Sequence, residues 1–140
     1  MQKLQSLIHD LNSSNSSIRD RAALELMDIR DGSAVGPLLQ AIAKPENVNH
    51  RGTLVYALSS FNCEPFLEVL VDLVLTGNFE VSTGAFGILE SSVTSAESIE
   101  RVRDRMQKHN AGNLVAEHHL MAFEALQEIT ASNDSTSSWE

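Results

Sequence analysis

Apolar and polar positions along the chain follow one short pattern written four times. Asn15-Ser-Ser-Ile-Arg-Asp-Arg-Ala-Ala-Leu-Glu-Leu26 returns as Asn47-Val-Asn-His-Arg-Gly-Thr-Leu-Val-Tyr-Ala-Leu58, as Asn78-Phe-Glu-Val-Ser-Thr-Gly-Ala-Phe-Gly-Ile-Leu89, and more loosely as Val115-Ala-Glu-His-His-Leu-Met-Ala-Phe-Glu-Ala-Leu126. The closing leucines stand 32, 31 and 37 residues apart, which leaves room for two short helices and two turns per unit. Self-similarity at this period marks a stacked repeat. At ~100° per residue, Ala22, Leu54, Ala85 and Ala122 share the leucine face one turn earlier, and Ile29, Phe61 and Ile129 extend it one turn later. In the third unit Val93 takes that place, because Ser92 is polar.

Punctuation fits two helices per unit. Asn15, Asn47 and Asn78 precede apolar runs and read as N-caps of the second helices, each side chain accepting a bond from an otherwise unpaired helix-start N–H. Pro37 and Pro65 suit the first turns of first helices. Thr94 with Glu97 has capping-box spacing, and Gly32, Gly77 and Gly112 stand where helices should stop. Leu4, Leu7, Ile8 and Leu11 form the apolar stripe of an opening helix, unlike a signal peptide. The stretch from Phe66 to Leu75 is interrupted by Glu68 and Asp72 and is far short of the ~20 residues a bilayer requires. It reads as a buried helix, apolar nearly all round, held between neighbours or in a dimer contact. The expectation is an all-α, right-handed α-solenoid of about four helix pairs and eight helices. It covers residues 1–130 as a single domain, and the polar, serine-rich 131–140 forms a disordered tail.

At 140 residues the chain is long enough to bury roughly two-thirds of its unfolded surface without a staple. Cys63 is the one cysteine, so no intrachain disulfide or cysteine-built metal site is possible, which fits a reducing compartment and points to the cytoplasm. The formal net charge of −9 disfavours nucleic acid and favours basic partners. Arg101, Arg103, Arg105 and Lys108 cluster locally, but Glu97, Glu100 and Asp104 are interleaved with them, as on a mixed solvated face.

Ile18-Arg19, Ala22-Ala23 and Leu26, then His50-Arg51, Leu54 and Leu58, resemble the second helix of a HEAT repeat, in particular the short HEAT-like repeats named after phycobilisome lyases. Ala34-Val-Gly-Pro-Leu-Leu-Gln-Ala-Ile resembles that family's first helix. The resemblance implies an α-solenoid whose second helices line a concave surface. Ser82 and His119 stand where the family has arginine, and Ser13 near where it often has aspartate, so the last repeats depart from the pattern.

Catalytic chemistry finds no support. There is no Gly-x-Ser-x-Gly elbow, phosphate loop or His-Glu-x-x-His helix, and Cys63 has no base placed near it in sequence. His50 and His118 share one column with Ile18 and Val81, which reads as a partly buried packing position and not as a metal site. Arg19 and Arg51 lie close to the leucine column, so their heads are expected to bond turn carbonyls. No cofactor or metal is expected.

The face opposite the leucines is the candidate binding strip: Ser17, Arg21, Leu24 and Asp28; Asn49, Thr53, Tyr56 and Ser60; Glu80, Gly84, Gly87 and Ser91; Glu117, Met121, Glu124 and Glu128. It carries five acids and one arginine, with the negative end on the last helix. Gly84 and Gly87 each cost a helix roughly 1 kcal/mol relative to alanine, which invites close approach by a partner or tight curvature. The expected function is a non-catalytic protein-interaction scaffold that binds a basic or mixed protein surface through Arg21, Asp28, Tyr56, Glu80, Gly84, Gly87, Glu117, Met121, Glu124 and Glu128. One alternative is a small bacterial inhibitor or immunity-type protein against a basic enzyme. The other is a bilin lyase or isomerase, suggested by the repeat subtype alone.

Overall fold

A computed structural model of the chain describes residues 2–109, 114 and 116–139, with side chains over 3–109, 114 and 116–131. Among these residues the chain is all-helical and without strands. Its eight α-helices are α1 (Gln2–Asp10), α2 (Ser16–Ile29), α3 (Val35–Ala43), α4 (Gly52–Ala57), α5 (Leu67–Thr76), α6 (Phe79–Ser92), α7 (Ala96–Gln107) and α8 (Glu117–Trp139). None of them is long and apolar enough to cross a membrane. The expectation for the tail falls on side chains that, beyond Ala131, lie outside the described residues.

The described chain forms two compact units, Met1–Asn62 and Cys63–Glu140. In the first, α1 packs on α2, and α4 packs on both α2 and α3. In the second, α5 packs on α6, α7 and α8, while α8 also packs on α6 and α7. Three neighbours explain why α5 is apolar nearly all round: Leu67, Leu70, Val71, Leu73, Val74 and Leu75 are all buried.

The leucine column is the core of this arrangement. Leu26, Leu58, Leu89 and Leu126 are all buried, as are Ala22, Leu54, Ala85 and Val93. Full burial of each leucine contributes roughly 1.5–3 kcal/mol. Ile29 departs from the expected face and is exposed, because α2 ends beside it: Arg30 turns into the left-handed region at φ 59°, and its N–H closes on the Leu26 carbonyl. Gly32 therefore stops nothing and opens a 3₁₀ turn instead.

Two of the three asparagine caps form. Asn15 Oδ1 accepts from Ser17 N at 2.9 Å and Ile18 N at 3.4 Å, and Asn78 Oδ1 accepts from Val81 N at 2.9 Å. Asn47 does different work. Its side chain is buried and donates from Nδ2 to the Ala41 carbonyl at 2.8 Å, tying down the end of α3, and α4 begins later behind Arg51 with no side-chain cap. Pro37 sits inside the first turn of α3, where its missing N–H removes no intrahelical bond. Pro65 lies in a 3₁₀ turn ahead of α5. The capping box of α7 belongs to Ser95 and Ser98, not to Thr94 and Glu97: Ser98 N donates to Ser95 Oγ at 3.1 Å, and Ser95 N donates to Ser98 Oγ at 2.9 Å.

Gly77 ends α5 as expected, but by close approach and not by a left-handed turn. A Cβ on Gly77 would lie 2.4 Å from Val81 Cγ1 and 2.7 Å from the Leu73 carbonyl oxygen. A Cβ on Gly87, in mid-α6, would meet nothing within 4 Å. Thermal denaturation of Gly77→Ala should show a loss of about 1–3 kcal/mol, whereas Gly87→Ala should be neutral or gain up to about 1 kcal/mol. Equal effects of the two substitutions would contradict this packing.

Candidate functional site

The chain's charged pairs are placed differently from the expected solvated face. Arg101 of α7 grips Glu68 of α5 with Nε at 2.9 Å and Nη2 at 2.7 Å. One turn on, Arg105 grips Asp72 with Nε at 2.8 Å and Nη2 at 2.5 Å, and His109 Nε2 stands 2.6 Å from Asp72 Oδ1. These arginines thus reach across to α5 and leave the interleaved acids of α7 aside. The Arg101 guanidinium holds the Glu68 carboxyl below its ordinary range. Burial pushes Asp72 upward, but its bonds to Arg105 and His109 outweigh that, and the net shift is downward.

An open apolar groove lies between α6 and α8 of the second unit. Phe79, Ser82, Thr83 and Phe86 recur at helical spacing and present one face of α6; His118, Met121, Ala122 and Ala125 do the same on α8. Together they enclose about 300 Å³. Phe79, 65% exposed, and Met121, 63% exposed, stand at its mouth. Exposure of two large apolar side chains beside one cavity is the type of surface a partner covers.

Polar contacts beneath the groove hold its two walls. Ser82 Oγ is buried and donates to the Val74 carbonyl at 2.7 Å, fixing α6 on α5. His118 and His119 lie with Nε2 at 3.1 and 2.5 Å from the Gly77 carbonyl. A carbonyl only accepts, so both rings carry hydrogen on Nε2 in this arrangement. Two imidazoles from the first turn of α8 thereby fasten it to the α5–α6 turn, and the His118 ring meets Phe79 edge-on at 6.0 Å.

The two helices that line the groove carry exposed acids. On α6, Glu80 stands one turn before Thr83 and Glu90 one turn beyond Phe86; on α8, Glu117 adjoins His118, and Glu124 and Glu128 follow Met121 and Ala125 by one turn. All five are exposed. Neither helix contains a lysine or arginine.

Of the strip expected from the sequence, Arg21, Asp28 and Tyr56 lie exposed in the first unit, while Glu80, Gly84, Gly87, Glu117, Met121, Glu124 and Glu128 lie exposed in the second. Only Met121 of these lines the groove. Phe79, Phe86, His118 and Ala125 were not legible as site residues, because the strip was centred opposite the leucines whereas the groove opens on the flank where α6 meets α8. The i, i+4, i+7 run Phe79, Thr83, Phe86 was the available signal. His50 is exposed, contrary to the packing position expected for it, whereas His118 is half-buried.

Among the described residues no group of three or more metal-ligating side chains comes together. Cys63 is buried, and burial pushes its thiol up to about 11, so the thiolate is scarce at neutral pH. Comparison of the chain with protein-family models, curated proteins and solved structures finds no match.

The lowered native pKa of Asp72 means that its contribution to stability is present above the unfolded carboxyl value and lost as pH falls through the native one. Asp72→Asn should therefore cost about 1 kcal/mol at neutral pH. In urea titrations from neutral to acid pH, the gap between variant and parent should narrow steadily; a gap independent of pH would show that the pairing contributes nothing.

Proposed function

We propose that the chain is a non-catalytic helical-repeat scaffold of the HEAT kind that holds a basic, amphipathic helix of a partner protein in the α6–α8 groove. One observation carries this reading: an apolar groove lies between two helices that carry five exposed glutamates and no lysine or arginine. A helix docking there would seat two or three apolar anchors on Phe79, Phe86 and Met121 and point its lysines or arginines at Glu80, Glu90, Glu117, Glu124 and Glu128. That is the helix-in-groove mode of recognition. The apolar contacts hold the complex, and the acids speed encounter and select for positive charge.

The repeat character is supported by packing within each unit: α2 on α4 in the first, and α5 on α7 with α6 on α8 in the second. Packing of a helix on the one after next, as in these three pairs, is what successive stacked pairs produce. A single, buried cysteine accords with work in the cytoplasm. An inhibitory role would use the same groove, with a basic enzyme supplying the helix.

Fluorescence anisotropy with two labelled model helices tests the reading, one built of leucine and lysine and the other of leucine and glutamate in the same pattern. The first should bind and the second should not. Phe79→Ala combined with Met121→Ala, and separately Glu124→Lys combined with Glu128→Lys, should each weaken binding by about tenfold or more, with the charge variant losing most of its effect at high salt. Equal binding of both helices, or indifference to the apolar pair, would sink the assignment of this groove.

A further inference from the structure

The first unit contains a second cavity of opposite character. It encloses about 270 Å³ between the α1–α2 loop, the start of α2 and the α3–α4 connection. Asn12 and Ser16 line one side, Lys44, Glu46 and His50 the other, and Arg19 reaches it from α2. Its lining is rich in hydrogen-bonding groups where the α6–α8 groove is apolar.

Arg19 is the informative residue. It is 3% exposed, yet among the described residues it has a single side-chain bond, from Nη1 to the Ser13 carbonyl at 2.8 Å, and its buried Nε has no partner. No carboxylate pairs with it: Asp20, next in sequence, keeps its own buried Oδ1 without a hydrogen bond. A guanidinium is charged at any ordinary pH. Withdrawing such a charge from water with only one neutral acceptor is costly. Lys44 is likewise without a carboxylate, its Nζ donating to Asn12 Oδ1 at 2.9 Å. Two cations thus line one cavity in a chain of net charge −9, and among the described residues neither forms an ion pair with a carboxylate.

We propose that this cavity is a binding site for a phosphate-type oxyanion, free or as the head of a small phosphomonoester. The fork of Arg19 matches two oxygens of a tetrahedral anion. Lys44 supplies a second, mobile charge. Ser16 opens α2, a helix of 14 residues, and the positive end of its dipole adds to the same field. The volume equals that of roughly nine waters, so it admits an oxyanion with an organic group attached. Glu46 is exposed on the lining and opposes a second concentration of negative charge, which favours one phosphoryl group over a polyphosphate.

Isothermal titration of the full chain with inorganic phosphate, and in parallel with glycerol 3-phosphate, tests the site against sodium chloride at equal ionic strength. Saturable binding is expected, together with a rise in melting temperature on saturation. Tighter binding of glycerol 3-phosphate would assign an organic phosphomonoester, and equal binding the free ion. Arg19→Gln and Lys44→Ala should each weaken binding by about tenfold, while Glu46→Gln should strengthen it several-fold. Lys44 is half-exposed, so its truncation leaves the core intact and decides the matter even if Arg19→Gln fails to fold. Absence of saturable binding up to about 30 mM of either ligand, or affinity unchanged in Lys44→Ala, would overturn the proposal.

Discussion

The rotation of α2, α6 and α8 about their axes, and of the 3₁₀ turn that follows α4, is fixed by a buried leucine in each. Leu26, Leu58, Leu89 and Leu126 are all buried, and turning the chain there by about a third of a revolution in one sense would bring Glu25, Ser59, Glu90 or Gln127 into the leucine's place. Loss of a buried leucine costs several kcal/mol against a total stability of only about 5–15 kcal/mol. That constraint settles which residues each unit must present to solvent. On α6 and α8 it leaves the Phe79–Phe86 and Met121–Ala125 faces meeting at an open flank and turns the glutamates outward.

A second constraint lies seven residues before each leucine, where Arg19, Arg51, Ser82 and His119 stand. Three of the four bond a backbone carbonyl: Arg19 to Ser13, Ser82 to Val74, and His119 to Gly77. Side-chain chemistry varies at this position while the task of satisfying a carbonyl at a turn or helix end is kept. The difference is in what remains. Serine has one hydrogen to give, and it is used; arginine has five, and on Arg19 the buried Nε hydrogen has no partner. Replacement of arginine by a smaller donor is therefore not a weakening of the fold. Retention of arginine at Arg19 is the feature that stability alone does not explain.

Much of the fold was legible because it depends on periodicity. The eight helices, the buried column and the caps at Asn15 and Asn78 follow from spacing and from the shortage of partners at helix ends. The misreadings share a cause. Asn47, Thr94 and Gly32 were assigned by residue type at a boundary, and boundaries are decided by which neighbouring group arrives first: Ala41 O claims the Asn47 amide, the reciprocal Ser95–Ser98 pair takes the cap from Thr94, and Arg30 closes α2 before Gly32 is reached. The groove was only partly legible. Met121 was placed by the helical wheel, but a wheel drawn for one helix cannot show which flank a second helix leaves open. The cavity around Arg19 was hidden for a similar reason, since Asn12, Arg19 and Lys44 are brought together only by the turns between them.

The distribution of charge ties these features together. Glu68 and Asp72 consume Arg101 and Arg105 across the α5–α7 contact, so these four charges of the second unit cancel locally. The acids of α6 and α8 have no lysine or arginine on their own helices to offset them, and these are the two helices that line an apolar opening. In the first unit Arg19 and Lys44 share one cavity. A net charge spread evenly over a surface serves solubility alone. Here the pairing between α7 and α5 leaves the exposed glutamates of α6 and α8 as unpaired charge on the helices that line an apolar groove, while in the first unit Arg19 and Lys44 line a polar cavity without forming an ion pair.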